Sequence, residues 1–194
     1  DQMTAIEILK LLLEKHPEST RHQNIKGNLP IHAASMMSRS PEFCCALVKA
    51  YPGSERIANL AGQLPIHYAC MHSSVATVEY LYKLYPDGIN HATRQGLYPI
   101  HTTISSMVQS DEDNWRVVDI VKFLLGDPRV KFQKLQVLVR VSLFAWVYFL
   151  EYNDANIEAA LEVIKAIYDA HPEAIETDLI ASNIYNRHPQ VQVF

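Results

Sequence analysis

Gly27-Asn28-Leu29-Pro30-Ile31-His32, Gly62-Gln63-Leu64-Pro65-Ile66-His67 and Gly96-Leu97-Tyr98-Pro99-Ile100-His101 are three versions of one phrase. Their histidines stand 35 and 34 residues apart. A fixed period of that size marks stacked helical repeats, units that bury their apolar sides only against their neighbours. One Pro-Ile-His arises by chance; three in phase do not. A second landmark keeps the same beat. In His16-Pro17, Tyr51-Pro52 and Tyr85-Pro86 the proline precedes the motif histidine by 15 residues each time. Asp127-Pro128 and His171-Pro172 extend the series. Proline cannot continue a helix and pushes the residue before it out of the helical region, so each pair predicts a helix end.

Between the landmarks the apolar residues fall at helical spacing. Second helices are predicted around Phe43, Leu47 and Val48, around Val78, Leu81 and Leu84, around Val117, Ile120, Val121 and Leu124, and around Leu161, Ile164 and Ile167. Ser40-Pro41 is a good helix start. Pro30, Pro65 and Pro99 suit the first turn of the shorter helix, where a missing N–H costs little. The residue before each is Leu29, Leu64 or Tyr98, so no hydroxyl caps these helices and the cap is left open. The N-terminus, Thr4 to His16, holds a second helix without a first. From His101 to Pro128 there are 27 residues against 20 and 19 in the two earlier units, which places polar insertions near 105–114 and, in the next unit, near 151–156.

The phrase resembles the ankyrin repeat, whose motif runs Asp-x-x-Gly-x-Thr-Pro-Leu-His-x-Ala. Asn24, Asn59 and Thr93 stand where that family prefers Asp, and Ala34, Ala69 and Thr103 stand at its Ala position. The Tyr-Pro helix ends are similar to ankyrin variants of algal and other protist proteins. The resemblance implies an all-α fold, an ankyrin-type solenoid of helix-turn-helix repeats joined by short finger loops. The expected division of 1–194 is an outer helix and finger over 1–23, then repeats over 24–58, 59–92 and 93–134, the third with an inserted loop. A degenerate fourth repeat follows over 135–178, in which Leu143 and Ala145 take the His and Ala places, and a divergent end covers 179–194. In such repeats Gly27, Pro30, His32, Gly62, Pro65, His67, Gly96, Pro99 and His101 are structural, the histidines tying the finger backbone together.

Composition excludes several classes. Net charge is −4 and pI about 6.1, giving no basic footprint for nucleic acid. Three cysteines, two of them adjacent, form no disulfide framework and suggest a reducing interior, hence an intracellular location in cytoplasm or nucleus. The chain opens at Asp1 without a leader and is expected to be a segment of something longer. Residues 135–150 are strongly apolar but too short to span a bilayer and carry Arg140, so a membrane role is not expected. His67, Cys70 and His72 have metal-binding character, yet the three do not share one helix face and lack a fourth ligand; no metal and no cofactor is expected. Asp111, Glu112 and Asp113 lack the glycine turn and spread of a calcium loop and suit a solvated acidic loop. No phosphate loop, nucleophile elbow or kinase signature occurs, so no catalytic residue and no enzyme activity is expected.

What the resemblance implies instead is a protein-binding surface made of finger tips and inner helices. Carried over position by position, it comprises Ile25, Lys26, Asn28, Met36 and Met37 in the first repeat. The second contributes Leu60, Ala61, Gln63, Tyr68, Met71 and His72, and the third Arg94, Gln95, Leu97, Thr102, Ser105 and Ser106. Four of the five methionines, Met36, Met37, Met71 and Met107, cluster at inner-helix ends, where flexible thioethers suit a surface that accommodates a partner. The expected function is a non-catalytic interaction module for another protein, itself monomeric. The alternative is a regulatory array within a longer polypeptide that carries an enzymatic or membrane domain elsewhere.

Overall fold

A computed structural model describes residues 2–106, 114–130 and 154–170. The elements among its described residues are helices, with no strand. They belong to two compact units, Asp1–Thr102 and Thr103–Phe194.

In the first unit α1 (Gln2–Lys15), α3 (Pro41–Ala50) and α5 (Val75–Leu84) are the outer helices, and α2 (Pro30–Met36) and α4 (Pro65–His72) the inner ones. A further inner helix, α6 (Pro99–Ser106), begins in this unit and ends in the next. Helix α2 packs on α4, α1 on α3 and α3 on α5, while α2–α3 and α4–α5 close as hairpins. Ile31, Ala34, Cys44, Leu47, Ile66, Ala69, Cys70, Val78 and Leu81 form the core. Phe43, expected inward, is only half-buried, and Cys44 takes the core place. Burial pushes the Cys44 thiol up to about 12, so it packs as a small apolar group. The expected serine cap is real: Ser40 Oγ accepts from Phe43 N–H at 3.4 Å, and Ser74 caps α5 in the same way.

The prolines do end the outer helices, at Lys15, Ala50 and Leu84. The chain then turns through 3-10 segments, Pro17–Arg21, Ser54–Arg56 and Pro86–Asn90, which periodicity did not foretell. The last residues of the first two segments repeat one device. Arg21 lies 5.1 Å from the Tyr51 ring centroid and Arg56 5.1 Å from that of Tyr85, so each arginine stacks on the tyrosine that ends the next outer helix.

In the second unit α7 (Asn114–Leu125) packs along α8 (Asp154–Ala170). Val117, Ile120, Val121 and Leu124 of the one and Ala159, Ala160, Val163 and Ile167 of the other are buried. Lys122 Nζ and Glu162 Oε2 pair at 2.8 Å on the solvent side. Helix α8 starts inside the stretch taken for an insertion, at Asp154. The acidic triplet 111–113, Met107, the apolar stretch 135–150 with Leu143 and Ala145, and the chain after 170 lie outside the described residues. Among those described, no helix is long and apolar enough to cross a membrane.

Candidate interaction surface

The fingers begin with a side chain that folds its own backbone. Asn24 Oδ1 accepts from Lys26 N–H at 2.9 Å and from Asn28 N–H at 3.0 Å. Asn59 Oδ1 accepts from Ala61 and Gln63, both at 2.9 Å, and Thr93 Oγ1 from Gln95 and Leu97 at 3.3 and 3.1 Å. Each is a side-chain-closed turn, completed by a backbone bond from the glycine three residues on. Gly27, Gly62 and Gly96 hold φ values of +74°, +79° and +79°, which a side chain tolerates poorly. At Gly27 and Gly62 space is short as well. A Cβ there would sit 3.0 Å from Leu60 N and 2.9 Å from Arg94 N.

That crowding exists because the tips are bonded to each other. Leu60 N–H donates to Lys26 O at 3.1 Å, and Arg94 N–H to Ala61 O at 2.9 Å. The three tips therefore stand in a row.

The open question of the cap is answered by the motif histidine. His32 Nδ1 accepts from Leu29 N–H at 3.1 Å, His67 Nδ1 from Leu64 at 3.1 Å and His101 Nδ1 from Tyr98 at 2.8 Å. Leucine has no acceptor to return the favour, so only the backward half of a capping box exists. With Nδ1 accepting, Nε2 carries the proton. It donates to the next finger: from His32 to Gln63 O at 3.2 Å and from His67 to His91 O at 3.2 Å. Burial without a counter-charge holds both rings neutral, lowering their pKa values to about 4; His91 beside His67 adds to the effect. Both nitrogens of His67 are thus committed to backbone. Among the described residues no three His, Cys, Asp or Glu side chains converge as metal ligands.

The predicted surface residues fall into three groups. Ile25, 95% exposed, and Leu60, 57% exposed, project at the tips with Lys26, Ala61, Arg94 and Gln95. Met36 and Met37 are 44% and 59% exposed at the end of α2, while Met71, His72, Gln63, Leu97, Tyr68 and Ser105 are half-buried. Asn28, Thr102 and Ser106 are buried and cannot meet a partner directly. The reason is hydrogen bonding. Asn59 Nδ2 donates to Asn28 Oδ1 at 2.7 Å and lies 3.1 Å from Tyr68 Oη, a donor role that Asp at this position could not play. Thr102 Oγ1 lies 2.7 Å from Pro99 O and 3.2 Å from His67 O, a link between inner helices. Tyr68 also meets the His32 ring edge-on at 6.1 Å, so it belongs as much to the frame as to the surface.

Residues 2–95 match the family model of ankyrin repeats, in three copies. The match stops short of the third Pro-Ile-His phrase, yet the finger of Thr93 and Gly96 and the cap by His101 are built like the first two. A search of the curated proteins gives no match. Ankyrin repeats are generally protein–protein interaction modules and are typically not catalytic. Phrase, stacked helical pairs and matched family model agree: residues 2–95 of the chain are ankyrin repeats.

Proposed function

We propose that this chain is a non-catalytic module that binds another protein through its finger tips and the exposed ends of its inner helices. One observation carries the reading: Ile25, Leu60, Met36 and Met37 are large apolar side chains held in solvent by elements whose own polar groups are hydrogen-bonded. Such side chains stabilise nothing where they stand, and rigid presentation lowers the ordering cost of binding. Helices α7 and α8 fit the same reading as the outer helices of the third and fourth repeats.

The test is a selection from displayed random peptides on the immobilised chain. Binders should be lost on the triple variant Ile25→Ser, Met37→Ser, Leu60→Ser, whose circular dichroism should match the parent. Peptides that bind both proteins equally would move the binding surface elsewhere.

A further inference from the structure

The carboxylates of the first unit are segregated. No Asp or Glu occurs in residues 19–41, 56–78 or 88–102, which contain the fingers and inner helices. Glu7, Glu14, Glu42 and Glu79 stand on the outer helices, and Glu18, Glu55 and Asp87 in the 3-10 segments that follow them. The fingers carry cations instead, Lys26 on the first tip and Arg94 on the third, both exposed. Among the described residues, neither is paired with a carboxylate. The backbone bonds from Leu60 to Lys26 and from Arg94 to Ala61 set their order: cation, apolar tip, cation.

We infer that this row binds an acidic segment of a protein partner, one carrying an apolar side chain between two carboxylates. The inference rests on the proposed function and specifies its partner. Arg94 offers a planar fork that can take a carboxylate with two hydrogen bonds, Lys26 a point charge, and Leu60 an apolar contact between them. Against the chain's net charge of −4, the fingers without carboxylates are where an acidic partner is drawn. A basic segment would meet two uncompensated like charges at the tips. A nucleic acid would need a run of cations along its backbone, and the second tip has none.

Three pools of synthetic dodecapeptides decide it, each with Leu and Phe at random positions and the remainder Asp/Glu, Ser/Gln or Lys. Retention is measured on the parent, on Lys26→Glu/Arg94→Glu, on the neutral pair Lys26→Met/Arg94→Gln, and on the apolar-tip variant Ile25→Ser/Met37→Ser/Leu60→Ser. The expected result is retention of the acidic pool about tenfold above the basic pool, weakened by salt, reduced in the neutral pair and lost on charge reversal. If the pools are retained alike, or the acidic one least, yet the apolar-tip variant still abolishes binding, the acidic partner is refuted and the proposed function stands. Retention indifferent to every variant refutes both.

Discussion

Gly62→Ala tests whether the row of fingers is a bonded unit or three independent loops. Gly62 holds φ +79°, and its Cβ would come within 2.9 Å of Arg94 N and 3.3 Å of Thr93, both backbone atoms that cannot swing aside. Gly53 is the natural control: its φ is +89°, and no described atom lies within 4 Å of the added carbon. The cost of the left-handed backbone, about 1–2 kcal/mol for a non-glycine residue, is common to both. At Gly62 the third finger must also shift, straining or breaking the bond from Arg94 to Ala61, which adds about 1–2 kcal/mol. Gly62→Ala should therefore cost about 2–4 kcal/mol and Gly53→Ala about 1–2. Urea unfolding followed by circular dichroism at 222 nm measures both, given unchanged slopes. Equal losses at the two glycines would refute the bonded row.

Acid should weaken the array before most carboxylates titrate. His32 and His67 fall from about 6.5 to about 4 on folding, so the unfolded chain binds more protons below pH 6.5 and stability drops as pH falls toward 4. Each ring contributes about 3 kcal/mol at full effect; identical urea midpoints at pH 7 and pH 5 would contradict the buried neutral rings. Glu55→Ile should stabilise by about 1 kcal/mol, since Thr20 and Ile89 fill the same repeat position. The Glu55 side chain is only 7% exposed, with Oε1 3.2 Å from Arg56 Nε and Oε2 lacking a hydrogen bond among the described residues. A lower urea midpoint would show that the carboxylate is wanted there. His67→Ala should lower the melting temperature by removing the cap of α4 and the clamp on the next finger at once; unchanged melting would deny it both tasks.

The period and the proline phase were legible because both are strict backbone requirements, and they placed the starts of α2, α3 and α4 and the ends of α1, α3 and α5 within a residue or two. The cap was not legible, because Leu29 and Leu64 offer no acceptor and the histidine that replaces one lies three residues downstream, in a role usually taken by Glu or Gln. Asn28 and Thr102 were misjudged as surface because their exposure depends on neighbours across the repeat: the Asn59 amide draws in the one, and the His67 carbonyl the other. The arginine–tyrosine pairs could have been found, since Arg21 and Arg56 both stand four residues after a helix-ending proline, but nothing in either residue alone announces a stacking partner some thirty positions on. Cys44 rather than Phe43 fills the core of α3, a phase error of one residue that apolar spacing could not resolve.

The motif histidine couples neighbours with a direction. Its δ nitrogen serves its own unit, while its ε nitrogen grips the successor, so His32 and His67 both reach toward the C-terminus. Peeling a downstream unit away strips the upstream ring of its outward bond, whereas losing an upstream unit leaves the downstream ring doubly held. Each such bond is lost whichever of its two units opens first, so no repeat should melt without loosening the one beside it.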